Sequence, residues 1–244
     1  MRPIRRGVSP RSGDYSSYQA AKPDLVGRLG SYCSFCERFI STGLHVEHIQ
    51  PKALPPYAHL IGRWDNFLLA CINCNSTKST KDVVLSEILL PDRDNTFAAY
   101  VYNEAGEVDV SPLLEPTQLN QARATLALMG LQRSAPDIVD ANGRLIPLDR
   151  IKQRLETWLI AMQARETRDK FLDSDPVTKT IVNLALKSGF FSVWMEVFRD
   201  DLFMRTRLID AFASTRDSGC FDPQTSATVQ PAPNPDQLPN GGKI

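Results

Sequence analysis

The chain lacks any apolar run near the length of a membrane span, so a spanning helix is not expected among its 244 residues. Only three histidines are present, which leaves no room for a histidine-rich second metal site. There is no P-loop, no Gly-rich dinucleotide signature and no internal repeat, so the nucleotide-binding and solenoid classes drop out. The chain does not open with a charged, apolar and small-residue leader, and a cytoplasmic location is expected. Net charge is zero, and the basic excess of residues 1 to 81 is modest, so tight unaided binding to DNA is not implied. In a reducing compartment, cysteines suit metal binding better than disulfides.

Four of the five cysteines stand in two C-x-x-C pairs, Cys33/Cys36 in YCSFCER and Cys71/Cys74 in ACINCNSTK. Each pair can present two thiolates to one tetrahedral ion, and four-cysteine zinc sites are common. Thirty-four residues separate the pairs, more than a compact zinc ribbon holds, so a substantial insertion must fold between them. No βαβ pattern surrounds either pair, which argues against a redox C-x-x-C. Cys220, alone in SGCFD, reads as a partly buried thiol.

The insertion carries LHVEHIQPK and WDNFLLAC, with an acid, a base and an amide at Glu47, His48 and Asn66. A neutral imidazole can take a proton from water near pH 7. A hard cation bound by a few carboxylate and amide oxygens keeps positions open for phosphate. Adjacent strand residues point to opposite faces, so Glu47 and His48 must sit at a strand end or a bend, and Pro51 limits continuation of that strand. On a helix, Asn75 and Lys78 share a face, which would bring Lys78 to a phosphate near the metal.

In this order, CSFCER, VEHIQPK, WDNFLLAC and CINCNSTK resemble the HNH endonucleases over about residues 31 to 81. The resemblance implies a ββα-metal unit braced by a four-cysteine zinc. It implies His48 as the general base, Glu47 as a ligand of a catalytic Mg2+ or Mn2+, and Asn75 as the second ligand. Asn66 would orient the base through a hydrogen bond. The family usually has Asp where this chain has Glu47, a side chain one methylene longer. Lys52, Lys78 and Lys81 are the expected nucleic-acid contacts. His45 would share the strand face of Glu47, as an outer-shell group or a structural one, and His59 reads as a loop histidine.

Residues 1 to 81 hold 11 Lys/Arg against 5 Asp/Glu, and residues 82 to 244 hold 17 against 23. The motif-bearing part is thus the one that should prefer a polyphosphate, unless the asymmetry is ordinary surface scatter. Arg2, Arg5, Arg6 and Arg11 lie among Pro, Gly and Ser in an arm where little can be buried. That arm would either follow a nucleic-acid backbone or pack as an extension. A short helix is expected within residues 18 to 30, and a turn-rich closing loop over 82 to 96. A β-hairpin is expected from AYVY and VDV around Asn103 to Gly106.

Helices are expected over Leu119 to Leu131, Pro147 to Phe171 and Asp175 to Leu186, the last capped by Ser174 or Asp175. An aromatic-rich stripe runs from Phe190 to Phe212, with Asp200 and Asp201 solvated. Residues 227 to 244, rich in Pro, Asn and Gly, read as a disordered tail.

The expected organisation is α+β. An arm with a short helix covers 1–30, the nuclease unit 31–96, a hairpin with a mainly helical domain 97–226, and the tail 227–244. The expected activity is metal-dependent DNA hydrolysis. The whole layout resembles the HNH subunits of Septu-type and retron-associated anti-phage systems, which implies a partner ATPase; a homo-oligomer is the other reading of the helices, and a support domain the plain one. An inactive zinc-braced module that binds nucleic acid or protein is the rival.

Overall fold

A computed structural model describes residues 1–135, 138–139, 141–143, 149–172 and 174–244. Helix α1 (Lys22–Leu29) follows a 3-10 turn at Tyr18–Ala21 and buries Leu25 and Leu29, four residues apart on one face. Strand β1 (His45–His48) pairs antiparallel with β2 (Phe67–Ala70), and His48 stands opposite Phe67. Helix α2 (Ile72–Lys78) leaves β2 at Cys71, whose sulfur accepts the Cys74 amide and caps the helix. This ββα unit is the one the motifs implied, and His48 is the last residue of its strand, as divergence from Glu47 requires.

Helix α3 (Thr96–Ala99) leads into the expected hairpin, β3 (Tyr100–Tyr102) and β4 (Val108–Val110). Helix α4 (Pro116–Met129) starts with a reciprocal Glu115–Gln118 capping box and stops at Gly130, which is left-handed. Helix α5 (Arg150–Lys170) is capped by Asp149, and α6 (Asp175–Ser188) by Ser174. Pro147, expected near the start of α5, lies outside the described residues. Among the described residues no helix is long and apolar enough to cross a membrane.

The stripe from Phe190 to Phe212 is two helices, α7 (Phe191–Val197) and α8 (Leu202–Ala211). Asp201 breaks it. Its carboxylate accepts the Met204 amide as the cap of α8 and pairs with Arg168 at 3.3 Å. Only Asp200 of the two acids is exposed.

Two apolar cores result. One surrounds β2 and takes in Leu25, Leu89, Tyr100, Leu126 and Met129. The other gathers Ala161, Ile181, Trp194 and Leu208 from the last four helices, with Phe212 just past α8 and Tyr32 from the first cysteine knuckle. At Gly189 the helical part touches that knuckle backbone to backbone. A Cβ there would lie 2.5 Å from the Phe39 nitrogen and 2.6 Å from the Glu37 oxygen, so only glycine fits. Glu37 holds the junction, accepting Ser192 N at 2.8 Å and Ser192 Oγ at 2.6 Å.

At the chain start the packed extension, one of the two readings of the arm, is what forms, whereas the last segment departs from the disordered tail expected of its composition. Met1, Arg2, Ile4 and Arg6 are buried, so the arm packs instead of trailing along a polyanion. Its arginines find partners inside the protein. Arg2 donates to Leu29 O at 2.9 Å and Thr215 Oγ1 at 2.8 Å, and Arg6 donates to Phe67 O at 2.6 Å and pairs with Asp92 at 3.0 Å. Residues 10 to 14, Arg11 among them, form the longest exposed stretch of the arm. The 227–244 segment is likewise packed. Ile244 is buried and its carbonyl accepts from Asn95 N and Ala232 N, while Lys243 pairs with Asp94 at 3.0 Å. Long-range polar partners hold it, and composition carries no trace of them. The closing loop supplies several, since Asp92, Arg93, Asp94 and Asn95 are all buried.

Candidate active site and metal centre

The first cysteine knuckle is shaped by its own amides. Cys36 N donates to Cys33 Sγ at 3.5 Å, and Ser34 N is tied to Leu69 O at 2.8 Å, which docks the knuckle on β2. The second knuckle is the first turn of α2. Together they bring four buried sulfurs within 4.8 Å of one another, with Cys36 Sγ and Cys71 Sγ 3.6 Å apart. All four thiols are free, and the donor set and spacing fit one tetrahedral zinc. Hydrogen bonds from the neighbouring cysteines hold Cys71 well below the ordinary thiol range, whereas burial pushes Cys33 up.

Sequence reasoning missed one member of this centre. Arg150, the first residue of α5, donates to Cys74 Sγ at 3.2 Å. It also donates to Met129 O at 2.9 Å and to Gly130 O. Four thiolates around a divalent ion carry two surplus negative charges, and a buried guanidinium offsets part of them. No local pattern announces such a contact. Cys220 is buried far along the chain, with its thiol pushed up to about 11 by burial, and takes no part.

A cleft of about 270 Å³ opens beside β1 and α2, lined by Tyr18, Glu47, His48, Lys52, Asn75 and Lys78 among others. The structure thus brings Glu47, His48 and Asn75 together as the motifs implied. His48 Nε2 lies 3.0 Å from Ile61 O. A carbonyl can only accept, so Nε2 carries the proton and Nδ1 is the basic nitrogen of the neutral ring. The ring also meets Tyr18 and Phe67 edge-on, with centroids 4.9 and 5.1 Å away. Burial lowers the His48 pKa, assisted by the positive charges of Lys52 and Lys78 and opposed by the bond to Ile61.

Asn66 does not hydrogen-bond the imidazole. Its Oδ1 accepts Gln50 N at 2.8 Å and its Nδ2 donates to Gln50 O at 2.9 Å. It pins the chain two residues beyond His48. Lys78 departs further from expectation. It is buried, pairs with Glu47 Oε1 at 2.7 Å and donates to His48 O at 2.7 Å, so its ammonium is spent inside the unit. Burial raises the Glu47 pKa, and Lys78 opposes that rise. The i,i+3 spacing from Asn75 was read correctly, but a four-carbon stem can reach inward as easily as outward.

Lys52 stays at the cleft, with Nζ 3.4 Å from the Tyr18 ring centre, while Lys81 is exposed and lies outside the cleft lining. His45 is exposed and away from the cleft, and His59 is exposed on the 3-10 turn Pro55–Leu60. Glu47 and Asn75 fit a single hard cation with open positions, since carboxylate and amide oxygens suit Mg2+ or Mn2+ and need completion by water and phosphate.

Compared with known families, residues 32–81 match the model of the HNH endonuclease family. That stretch runs from Tyr32 to Lys81 and holds both cysteine knuckles, β1, β2 and α2. A search of the curated proteins finds no match to the chain.

Proposed function

We propose that this chain is a metal-dependent endonuclease hydrolysing DNA phosphodiester bonds at the β1–α2 cleft. The observation that carries the reading is the convergence of His48, Glu47 and Asn75 on one cleft of a cysteine-braced ββα unit. His48 Nδ1 takes a proton from water, the water oxygen adds to phosphorus, the bridging P–O bond breaks with its electron pair on the leaving oxygen, and that oxygen takes a proton from solvent. Glu47 and Asn75 hold a divalent cation, which when bound supplies charge neutralisation at the phosphate. Lys52 contacts a neighbouring phosphate, and Asn66 keeps the segment after His48 in place.

A plasmid-nicking assay in Mg2+ or Mn2+ tests this, with His48→Ala and chelator as controls. Metal-dependent nicking lost in the variant is the expected result. Full cutting in chelator, or unchanged rates in His48→Ala, overturns it. The rival, an inactive binding module, draws on the Lys78 ammonium already paired with Glu47, and predicts binding with no nicking in any metal.

The finer reading places the enzyme in the cytoplasm as the effector of an anti-phage system, beside an ATPase or as a homo-oligomer. Its support is the sequence layout, together with exposed apolar side chains such as Leu159, Leu184, Leu202 and Phe203 on the helical part. Light scattering of the chain, alone and mixed with proteins encoded beside it, tests that reading. A strict monomer that ignores them and cuts at full rate ends it.

A further inference from the structure

Glu47 does not meet the cleft as a free carboxylate. Lys78, at the last turn of α2, is 2% exposed and places Nζ 2.7 Å from both Glu47 Oε1 and His48 O. An ammonium has three protons, and two of them here go to adjacent residues of one strand end. Lys78 therefore fixes the carboxylate and the peptide that carries the imidazole from a single point. Glu47 in place of the shorter Asp suits this double duty. One oxygen meets Lys78, and Oε2 accepts no hydrogen bond from the described residues, which leaves it as the ligand oxygen.

The charges around the cleft then matter. Glu47 is the only carboxylate among its lining residues, and Lys52 and Lys78 both line it. With His48 neutral, one negative and two positive charges leave the cleft with a surplus of one positive charge. Hard divalent cations are held by clustered anionic oxygens. A divalent ion entering this cleft meets two ammonium groups and a carboxylate already shared with one of them. A phosphodiester brings the missing negative charge and hard oxygen ligands.

We propose that Lys78 is a positioning residue that makes divalent-cation binding in the cleft depend on the nucleic-acid phosphate, so that metal and substrate bind synergistically. This rests on the endonuclease reading. The coupling must be reciprocal, because each ligand changes the other's affinity by the same factor.

The test titrates Mn2+ into zinc-loaded, full-length His48→Ala protein, which blocks turnover, and follows free Mn2+ by electron paramagnetic resonance. It is done with and without a short DNA duplex. The same duplex with protein carrying Glu47→Gln as well measures the Mn2+ held by DNA alone. The duplex should tighten Mn2+ binding about 10-fold or more, and Mn2+ should tighten duplex binding equally. Adding Lys78→Met should raise Mn2+ affinity without DNA and shrink the enhancement, whereas Lys78→Arg should keep it. Equal Mn2+ affinity with and without duplex overturns the proposal, and that arm needs no Lys78 variant to fold. A folded, zinc-loaded Lys78→Met protein that binds Mn2+ no more tightly overturns it too. The endonuclease reading fails by a different result, cleavage by His48→Ala at the unsubstituted rate.

Discussion

Arg150 Nη1 lies 3.2 Å from Cys74 Sγ, so the first residue of the long helix of the C-terminal part touches the four-cysteine cluster of the N-terminal part. The same guanidinium holds the Met129 and Gly130 carbonyls at the end of α4. The two parts of the chain therefore share a buried charged contact as well as the backbone junction at Gly189.

Arg150→Met should accordingly speed zinc loss. It removes a charged hydrogen bond to sulfur and leaves the Met129 carbonyl without its partner, while Gly130 O keeps the Arg133 amide, a cost of roughly 1.5–3 kcal/mol. Zinc release to a colorimetric chelator should be several-fold faster than in the unsubstituted protein, and the thermal midpoint should fall. An unchanged release rate would show that the contact does not tune the centre.

Zinc itself should be present at about one ion per chain, bound by Cys33, Cys36, Cys71 and Cys74. Replacing Cys36 by Ser, or stripping the ion, should unfold the ββα unit, because metal binding and folding are coupled in such sites. Elemental analysis with circular dichroism before and after chelation reads this out. Well-folded protein without zinc would refute it.

The parts of this site that were legible in the sequence are those that depend on local spacing. The cysteine knuckles are four-residue turns, and Glu47–His48 at a strand end follows from alternation and a nearby Pro51. The hairpin around Gly106 and the cap at Ser174 are equally local. What escaped were contacts between distant residues. Arg150 meets Cys74 across 76 positions, and Arg6 meets Asp92 in a buried pair. Lys78 was assigned to the correct helix face but the wrong partner, because its ammonium finds Glu47 before it finds solvent. The tail departs from its expected disorder, and the two readings of the arm stay undivided in the sequence, for a related reason. Pro, Gly and Arg content describes chains without partners, and Arg2, Arg6 and Lys243 have them.

On the proposed endonuclease reading, the pH dependence of cutting should follow His48. Its folded pKa is lowered from 6.5, first by burial and then by Lys52 and Lys78. The base is active when neutral, so activity should be retained as pH falls through about 6.5 and should drop only at more acidic values. The acid limb of the single-turnover rate should therefore lie below 6.5. Lys52→Ala removes one of the depressing charges and should move that limb upward. An acid limb above 6.5 in the unsubstituted enzyme would contradict the assignment of His48 as a buried neutral base.

Asn66→Ala should impair cutting without removing any group that touches substrate or metal. Two hydrogen bonds to Gln50 would be lost and its backbone N–H and C=O left unpaired, at roughly 1–3 kcal/mol. The segment after His48 would loosen, so the rate should fall while zinc content stays unchanged. Asn66→Asp should be no better, since a carboxylate can accept the Gln50 amide but meets the Gln50 carbonyl with repulsion. Full activity in Asn66→Asp would mean that the donor half of the clamp is unnecessary.

The arginines near the start of the chain allow packing to be separated from nucleic-acid binding. Arg6 is 1% exposed and holds both Phe67 O and Asp92, whereas Arg11 is exposed. Breaking a buried ion pair from one side typically costs about 3–5 kcal/mol, and Arg93, which still pairs with Asp92, should reduce that loss. Arg6→Met should thus lower the denaturation midpoint and leave the salt dependence of DNA affinity unchanged. Lys52, at the cleft and half-buried beside Tyr18, should behave in the opposite way. Lys52→Ala should leave the midpoint nearly unchanged and reduce the slope of log affinity against log salt by about 0.9, the share of one phosphate contact. The two measurements on the two variants form a cross. If Arg6→Met weakened the salt slope while stability held, the buried arm would have to be released on binding, and the first six residues would belong to the nucleic-acid surface after all.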